Sequence, residues 1–314
     1  MATNITAPIV LFVYNRPWHT RQTLNSLLRN ELAKDSDLIV FSDAPKSPDV
    51  AMLVTEVRSL LKGITGFKSV RIIERDNNWG LSKSIIEGVT EVVNRYGKVI
   101  VLEDDIVTSP SFLQFMNQAL DYYEKENRVW HISGWTYPID TEGLGDAFLW
   151  RFMNCWGWAT WADRWINFEK NPQRLIENWS EHEKHHFDLD GSGVAWYQVV
   201  ANLKAEMDTW AIFWYATIYE NNGLCINPVR SYVKNIGHDG SGMNCSKLDH
   251  SGFTDDELCE SVKINWPNEI KELDLARKRV MNYVRNSNKN IFGRIINKLR
   301  KYFKNQKKDI RHEM

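Results

Sequence analysis

Val99-Ile100-Val101-Leu102-Glu103-Asp104-Asp105 is an apolar run that ends in three consecutive acids. A short apolar run without alternation fits a strand buried on both faces of a parallel sheet. Open α/β sheets bind their ligands beyond the carboxyl ends of the strands, where these acids would stand. Three adjacent carboxylates repel one another, so something positive should neutralise them. A divalent cation, Mn2+ or Mg2+, suits this task, because hard ions take oxygen ligands from one or two carboxylates plus substrate phosphates. The plain alternative is a solvated surface loop.

The residues before the triplet repeat the same grammar. Residues 8–14 form a continuous apolar run, and after Asn15-Arg16 comes Pro17, which suits a helix start. Leu24, Leu27, Leu28 and Leu32 then make a helical stripe. Strands are predicted over 38–41 and 70–74, with a helix over about 50–62 between them. Asn78-Trp79-Gly80 precedes a helix carrying Ile85, Ile86, Val89, Val92 and Val93 on one side, and the triplet strand follows. Downstream, Ser109 is expected to cap a helix beginning at Pro110, ahead of a strand over 129–133. Strands alternating with helices over the first ~135 residues argue for an α/β fold with a mainly parallel, Rossmann-like sheet and helices on both faces.

Beyond residue 135 the pattern changes. Residues 147–166 are dense in aromatics, with Trp156-Gly157-Trp158 at the centre; 171–190 are polar and expected to form a mobile or solvent-facing helical stretch, with His185 and His186 read as solvated. Helices are expected over about 193–207 and from Asp208-Thr209-Trp210 through Tyr219, then a short strand over 224–227 and a loop rich in Gly and Asn over 235–245. We divide the chain into a catalytic domain over 1–245, an extension over 246–288 packed on it, and a basic tail over 289–314.

Composition narrows the class. The 314 residues are 43% hydrophobic and 25% charged, which fits a globular protein with a substantial core. A net charge of −1 offers no field to gather nucleic acid. The charge is unevenly spread: nine Lys or Arg against two acids after residue 288 give +7, leaving −8 for the rest. Within 291–311, Ile291, Phe292, Ile295, Ile296, Leu299, Tyr302 and Phe303 share one helical face with basic residues opposite, as in a helix lying at a membrane interface. The alternative is a terminal helix packed on the body or on a second subunit. Cys155, Cys225, Cys245 and Cys259 show no metal-ligand spacing and read as reduced thiols. With no apolar run long enough for a signal peptide or a span, the expected location is cytoplasmic, peripheral on the inner membrane.

Val-Leu-Glu-Asp-Asp-Ile followed by Ser-Pro-Ser-Phe resembles the metal-binding segment of GT-A-fold glycosyltransferases, of the N-acetylglucosaminyltransferase I type and of bacterial family-2-like sugar transferases. The resemblance covers about residues 8–240, with several segments in matching order. It implies a single GT-A catalytic domain that uses a nucleoside-diphosphate sugar and a divalent metal. Asp105 is then the metal ligand, Asp104 faces the ribose or diphosphate, and Glu103 the hydroxyls of the donor sugar. Arg16 and Asp43 resemble nucleotide-contacting positions, Asp43 by reading the uracil edge, and Asp76 lies in the similar segment after the third strand. Trp156 and Gly157 resemble the segment beneath the donor sugar. Asp208 resembles the catalytic carboxylate, and His238 a C-terminal histidine that can bind metal.

Each assignment has a plainer counterpart. Asp208 before an apolar run is also a helix N-cap. As a base, it would take the acceptor proton, helped by the low dielectric of Trp210, Phe213 and Trp214. Arg16 offers a planar fork for phosphate or an ordinary ion pair. Asp43 could simply hold its turn, Lys83 could meet diphosphate at a helix start or be an exposed helix lysine, and a lone His238 has many ordinary explanations. Of the fourteen tryptophans most should be core, including at least two of Trp156, Trp158 and Trp161, while a few could stack on sugar rings.

The leading expectation is inverting transfer of a hexose or N-acetylhexosamine from a UDP-sugar to a glycan acceptor, lipid-linked, in surface polysaccharide assembly. The alternative is a retaining transferase, since the sequence does not show which face of the donor Asp208 approaches. A sugar-1-phosphate nucleotidyltransferase should carry a glycine-rich loop after the first strand, where Tyr14-Asn15-Arg16-Pro17 stands instead. A non-catalytic glycan-binding protein of the same fold should lack the triplet or the base. Both are present.

Overall fold

The computed structural model describes residues 6–239 and 257–286. The basic tail over 289–314, with the amphipathic helix expected in it, and Cys245 lie outside the described residues.

The first half is β1 (Ile9–Val13), α1 (Pro17–Leu28), β2 (Asp37–Ser42), α2 (Ala51–Leu61), β3 (Ser69–Glu74), α3 (Gly80–Tyr96) and β4 (Lys98–Glu103). After β4 come β5 (Ile106–Thr108), α4 (Phe112–Tyr122), β6 (Val129–Ser133), β7 (Ala147–Trp150) and β8 (Trp158–Trp161). Then follow α5 (Ala162–Trp165), α6 (Pro172–Asn178), α7 (Glu181–Phe187), α8 (Trp196–Leu203), α9 (Ala211–Glu220), β9 (Leu224–Pro228) and β10 (Val233–Asn235). A last helix, α10, spans 274–286.

Eight strands form one sheet in the order β3-β2-β1-β4-β8-β6-β9-β7. β3, β2, β1 and β4 pair in parallel, and β6 pairs in parallel with β9. β7 and β8 run against their neighbours. The mainly parallel sheet expected from the sequence is therefore present, with two reversed strands in its second half.

The apolar runs are explained by the two layers they feed. In β1, Ile9, Leu11 and Val13 face one core while Val10 and Phe12 face the other. β4 divides the same way, with Ile100 and Leu102 on the first side and Val99 and Val101 on the second. A strand covered on both faces has no solvent side to mark with polar residues. β3, at the edge, is only partly buried and carries Arg71 in an ion pair with Glu91 at 2.9 Å. Charge along an open edge discourages pairing with another chain.

Several local expectations shift. α4 begins at Phe112 with Ser111 at its N-cap, two residues later than Ser109 and Pro110 suggested. α8 begins at Trp196 because the Asp188 carboxylate accepts from the N–H groups of Ala195 and Trp196. The polar stretch over 171–190 is helical, as expected, but does not face solvent throughout. It folds into α6 and α7, the latter with a capping box between Ser180 and Glu183, and buries Leu175, Trp179 and Phe187. His185 stays exposed, but His186 accepts at Nε2 from Arg151 at 2.6 Å and contacts the Tyr219 hydroxyl at 3.0 Å. The short strands β5, β7, β8 and β10 escaped the sequence reading, their three or four residues being too few to show a period.

Residues 257–286 lie against the body. Leu273 N–H donates to the Leu149 carbonyl at 2.8 Å, and Ala276, Val280 and Val284 pack with Leu144, Phe148 and Trp150. Arg151 and Arg277 share Asp190 and Glu272 in a network of ion pairs. Among the described residues no helix is long and apolar enough to cross a membrane.

Candidate active site

β4 delivers Glu103 at its last position, and Asp104 and Asp105 turn away beyond it. Tyr14, just after β1, donates its N–H to Asp104 Oδ2 at 3.3 Å, and Thr23 on α1 donates to the Asp104 carbonyl at 2.8 Å. The triplet is thus bound to the β1–α1 turn. The second clamp comes from far along the chain. β10 pairs antiparallel with β5, directly after the triplet, and Ile236 N–H donates to the Asp105 carbonyl at 2.9 Å. That pairing lays Gly237, His238 and Asp239 over the acids. At Gly237 an added Cβ would overlap the Asp105 carboxylate and stand 2.8 Å from Arg16 Nη2. A glycine at this position lets the backbone approach the acid side chains closely.

Arg16 lies in the middle of this cluster. Its Nη1 donates to Asp105 Oδ2 at 2.7 Å and lies 3.5 Å from Asp104 Oδ1, while Nη2 is 3.9 Å from Asp239 Oδ1. Asp239 Oδ2 is 3.2 Å from His19 Nε2. Part of the neutralisation assigned to a cation is therefore performed by a side chain of the protein. It is incomplete, with one guanidinium facing four carboxylates. Burial, together with repulsion from Asp105 and Asp104, pushes the Glu103 carboxyl up to about 8. Burial and repulsion from Asp105 push Asp104 up to about 7, with Arg16 opposing in both cases. Burial works against the charge of Arg16, yet Asp104 and Asp105 hold it above its ordinary range.

Among the described residues no three His, Cys, Asp or Glu side chains converge as a ready-made metal cage. A hard cation that shares its coordination with substrate phosphates needs only one or two carboxylates. Asp105 with Asp104 fits that need, and the surplus negative charge favours it. His238 stands one residue past the Gly237 contact, its ring 5.5 Å from that of Trp156.

Trp156, the ring partner of His238, also lines an aromatic cavity of about 300 Å3, walled by Trp135, Tyr137, Phe152, Trp156, Ile212 and Tyr215. Trp156 is the partly open member of its trio, whereas Trp158 and Trp161 are core, as expected. Gly157, at a φ of +56°, lets β8 meet β6 closely: Gly134 N–H donates to its carbonyl at 2.6 Å, and a Cβ would press on Val233 and Phe112. Its visible task is backbone packing under Trp156.

Asp208 precedes α9, whose first residues Ala211 and Ile212 line the same cavity. The N-cap of α9 is Trp210, so Asp208 does not cap the helix. Its side chain is 72% exposed and pairs with Lys170, which also donates to Ser82 at 2.9 Å. The expected apolar surroundings are absent. Trp210, Phe213 and Trp214 turn into the core, Trp210 stacking on Trp158 at 5.0 Å.

The remaining nucleotide candidates gather at the start of α3. Asp43 is buried, and its carboxylate accepts from the N–H groups of Ala44, Trp79 and Gly80 and from the Asn78 amide, at 2.9–3.1 Å for the shortest of each. It caps α3 from across the sheet, the turn-holding alternative to base reading. Lys83 is exposed, its ammonium 4.6 Å from the centre of the Trp79 ring. Asp76 is exposed and borders a different cavity of about 540 Å3 between β3 and α3, beside Arg75 and Glu87. That larger cavity has no residue of the acid triplet in its wall.

The sequence reading missed Asp239, His19, Lys170 and Arg75. His19 follows Arg16 by one helical turn and Asp239 adjoins His238, so both could have been found from their neighbours. Lys170 carried no signal, and Arg75, buried and stacked 3.6 Å over the Trp79 ring, reads as an ordinary strand-end arginine.

The chain is similar to several known glycosyltransferases and to one family model. The mannosyltransferase PcManGT from Pyrobaculum calidifontis, solved with GDP-Man and Mn2+, is 11% identical, with 51% of this chain and 46% of that one covered at a TM-score of 0.32. An active-site mutant of LgtC is 11% identical over 67% of this chain and 70% of its own, at 0.37. TarS of S. aureus is 12% identical over 74% and 37%, at 0.36. The chain therefore spans under half the length of the mannosyltransferase and of TarS. No curated protein matches. The family model described as glycosyl transferase family 2 matches residues 9–182, more than half of the chain and all of the β1–β4 sheet with its acid edge. By that match the protein belongs to glycosyl transferase family 2, and its fold is of the GT-A type.

Proposed function

We propose that this protein transfers a hexose or N-acetylhexosamine, with inversion, from a UDP-sugar to a glycan acceptor. The observation that carries this reading is the acid cluster at the carboxyl edge of β4, under-neutralised by Arg16 and covered by a loop whose His238 packs on Trp156, a wall of the aromatic cavity. Surplus carboxylates suit a cation-bound diphosphate, and a flat aromatic wall suits a sugar ring.

In this reading Asp105 and His238 would hold Mn2+ or Mg2+, and Asp104 would face the ribose or diphosphate. When bound, the ion supplies Lewis-acid stabilisation of the leaving diphosphate. Glu103 and Trp156 hold the donor sugar. The acceptor hydroxyl oxygen attacks C1 as its proton passes to Asp208, and the bond from C1 to the diphosphate oxygen breaks to release the nucleotide. Asp208 is suited by its position shortly before Ala211 and Ile212, which line the cavity, with Lys170 paired to its carboxylate. Arg16, Lys83 and Asp76 serve the nucleotide side. The amphipathic sequence over 291–311 supports a lipid-linked acceptor at the inner membrane surface, in surface polysaccharide assembly.

The test is incubation with Mn2+ and a panel of UDP-, GDP- and dTDP-sugars, following nucleotide released by slow donor hydrolysis. Metal-dependent release from a UDP-sugar is expected. No release from any donor, with or without Mn2+, overturns the reading.

A further inference from the structure

We propose that Arg16 is an internal counter-ion that must change partners for the donor to bind, so that cation and diphosphate enter this site together rather than singly. The inference rests on the function proposed above. Arg16 is only 12% exposed in its side chain, and its Nη1 takes the Asp105 oxygen that a cation would need. Its Nε and Nη2 are buried and find no hydrogen-bond partner among the described residues. A guanidinium is strongest when its planar fork is met by two oxygens at once, and here one arm of the fork is used. Gly237 seals the opposite side of the pair, so the guanidinium has no room to retreat in that direction.

Two consequences follow from charge alone. A cation that arrives without an anion must displace Arg16 from Asp105 and then sit beside a trapped positive charge. A diphosphate placed between them neutralises both and satisfies the idle N–H groups of Arg16. Cation and nucleotide should therefore strengthen each other's binding, and that coupling must be the same measured from either side. In this scheme Arg16 acts on both ligands, releasing Asp105 to the cation and donating to the diphosphate.

The experiment is titration of Mn2+ by calorimetry and by loss of its free electron-spin signal, on the full chain, alone and with saturating UDP, with GDP in parallel. In the unaltered protein Mn2+ is expected to bind at least tenfold more tightly with UDP than without it. In Arg16→Gln, Mn2+ alone should bind about fivefold more tightly than in the unaltered protein, and the strengthening by UDP should fall to less than threefold. Arg16→Lys, which keeps the charge and loses the fork, should leave Mn2+ alone weak while losing most of the strengthening. Matching thermal unfolding curves establish that the variants are folded, and a variant that fails this test is replaced by Arg16→Met, read the same way as Gln. If Arg16→Gln binds Mn2+ alone no better than the unaltered protein while coupling to UDP persists, the proposal is overturned and the function stands. If the unaltered protein binds Mn2+ with neither nucleotide, both fall.

Discussion

The α-carbon of Gly237 rests against the carboxylate of Asp105, so closely that a β-carbon there would overlap it. These residues are 132 positions apart, brought together by the β5–β10 pairing. Because the backbone of Gly237 is not in the left-handed region, alanine is excluded by contact with Asp105 and Arg16 rather than by backbone strain. Gly237→Ala should displace either the loop or the carboxylate and lower both Mn2+ affinity in the presence of UDP and nucleotide release at least tenfold. Unchanged values in a folded variant would show that this contact does not shape the site.

Asp105→Asn keeps the size of the side chain and removes its charge. Turnover with the donor should fall at least a hundredfold, as for other groups that organise developing charge, and added Mn2+ should not restore it. Near-normal turnover would remove Asp105 from the metal-binding role.

Asp208 separates from its capping alternative in one measurement. Since Trp210 is the N-cap of α9 and Asp208 stands in solvent, Asp208→Asn should leave the thermal midpoint unchanged. Transfer should nevertheless fall by about 10²–10⁴-fold, the range for loss of a general base. Retained transfer would assign the proton to another group.

Asp43 tests the opposite balance. Three backbone N–H groups and one amide converge on its buried carboxylate. Asp43→Ala leaves them unmet and should cost roughly 2 kcal/mol of stability, by analogy with lost caps and buried hydrogen bonds. Chemical denaturation measures this. A loss of UDP affinity with stability intact would instead favour base reading.

His131 predicts the acid limit of the fold. Trp214 donates its indole N–H to His131 Nδ1 at 3.1 Å, so the proton of the imidazole must be on Nε2, which faces the Asn154 carbonyl at 3.0 Å. Burial lowers its pKa from 6.5 to about 4. The unfolded chain takes up the proton first as pH falls, so stability is full above 6.5 and lost towards 4, by roughly 3 kcal/mol at most. Denaturation curves across that window should show the slope, and His131→Gln, which cannot take up the proton, should flatten it. An equal slope in both would place the titrating group elsewhere.

The β/α order of the first half was readable because burial on both faces leaves an apolar run, and the helices between carry their own period. Asp104 and Asp105 were findable for the same reason: a strand that ends in acids announces a sheet edge. Asp208 was found as a residue but not in its surroundings, since an exposed turn and a buried one look alike when the following helix is apolar. His186 was misread because its partners, Arg151 and Tyr219, lie 35 and 33 residues away.

By itself the sequence determined which elements form and where their charges end, through period and chain-local chemistry. Tertiary structure alone decided that Arg16 answers Asp105, that Asp43 is spent on the start of α3, and that Gly237 closes over the acids. Those outcomes depend on pairing across the sheet and between β5 and β10, and a contact between distant residues leaves no mark in the spacing of either one.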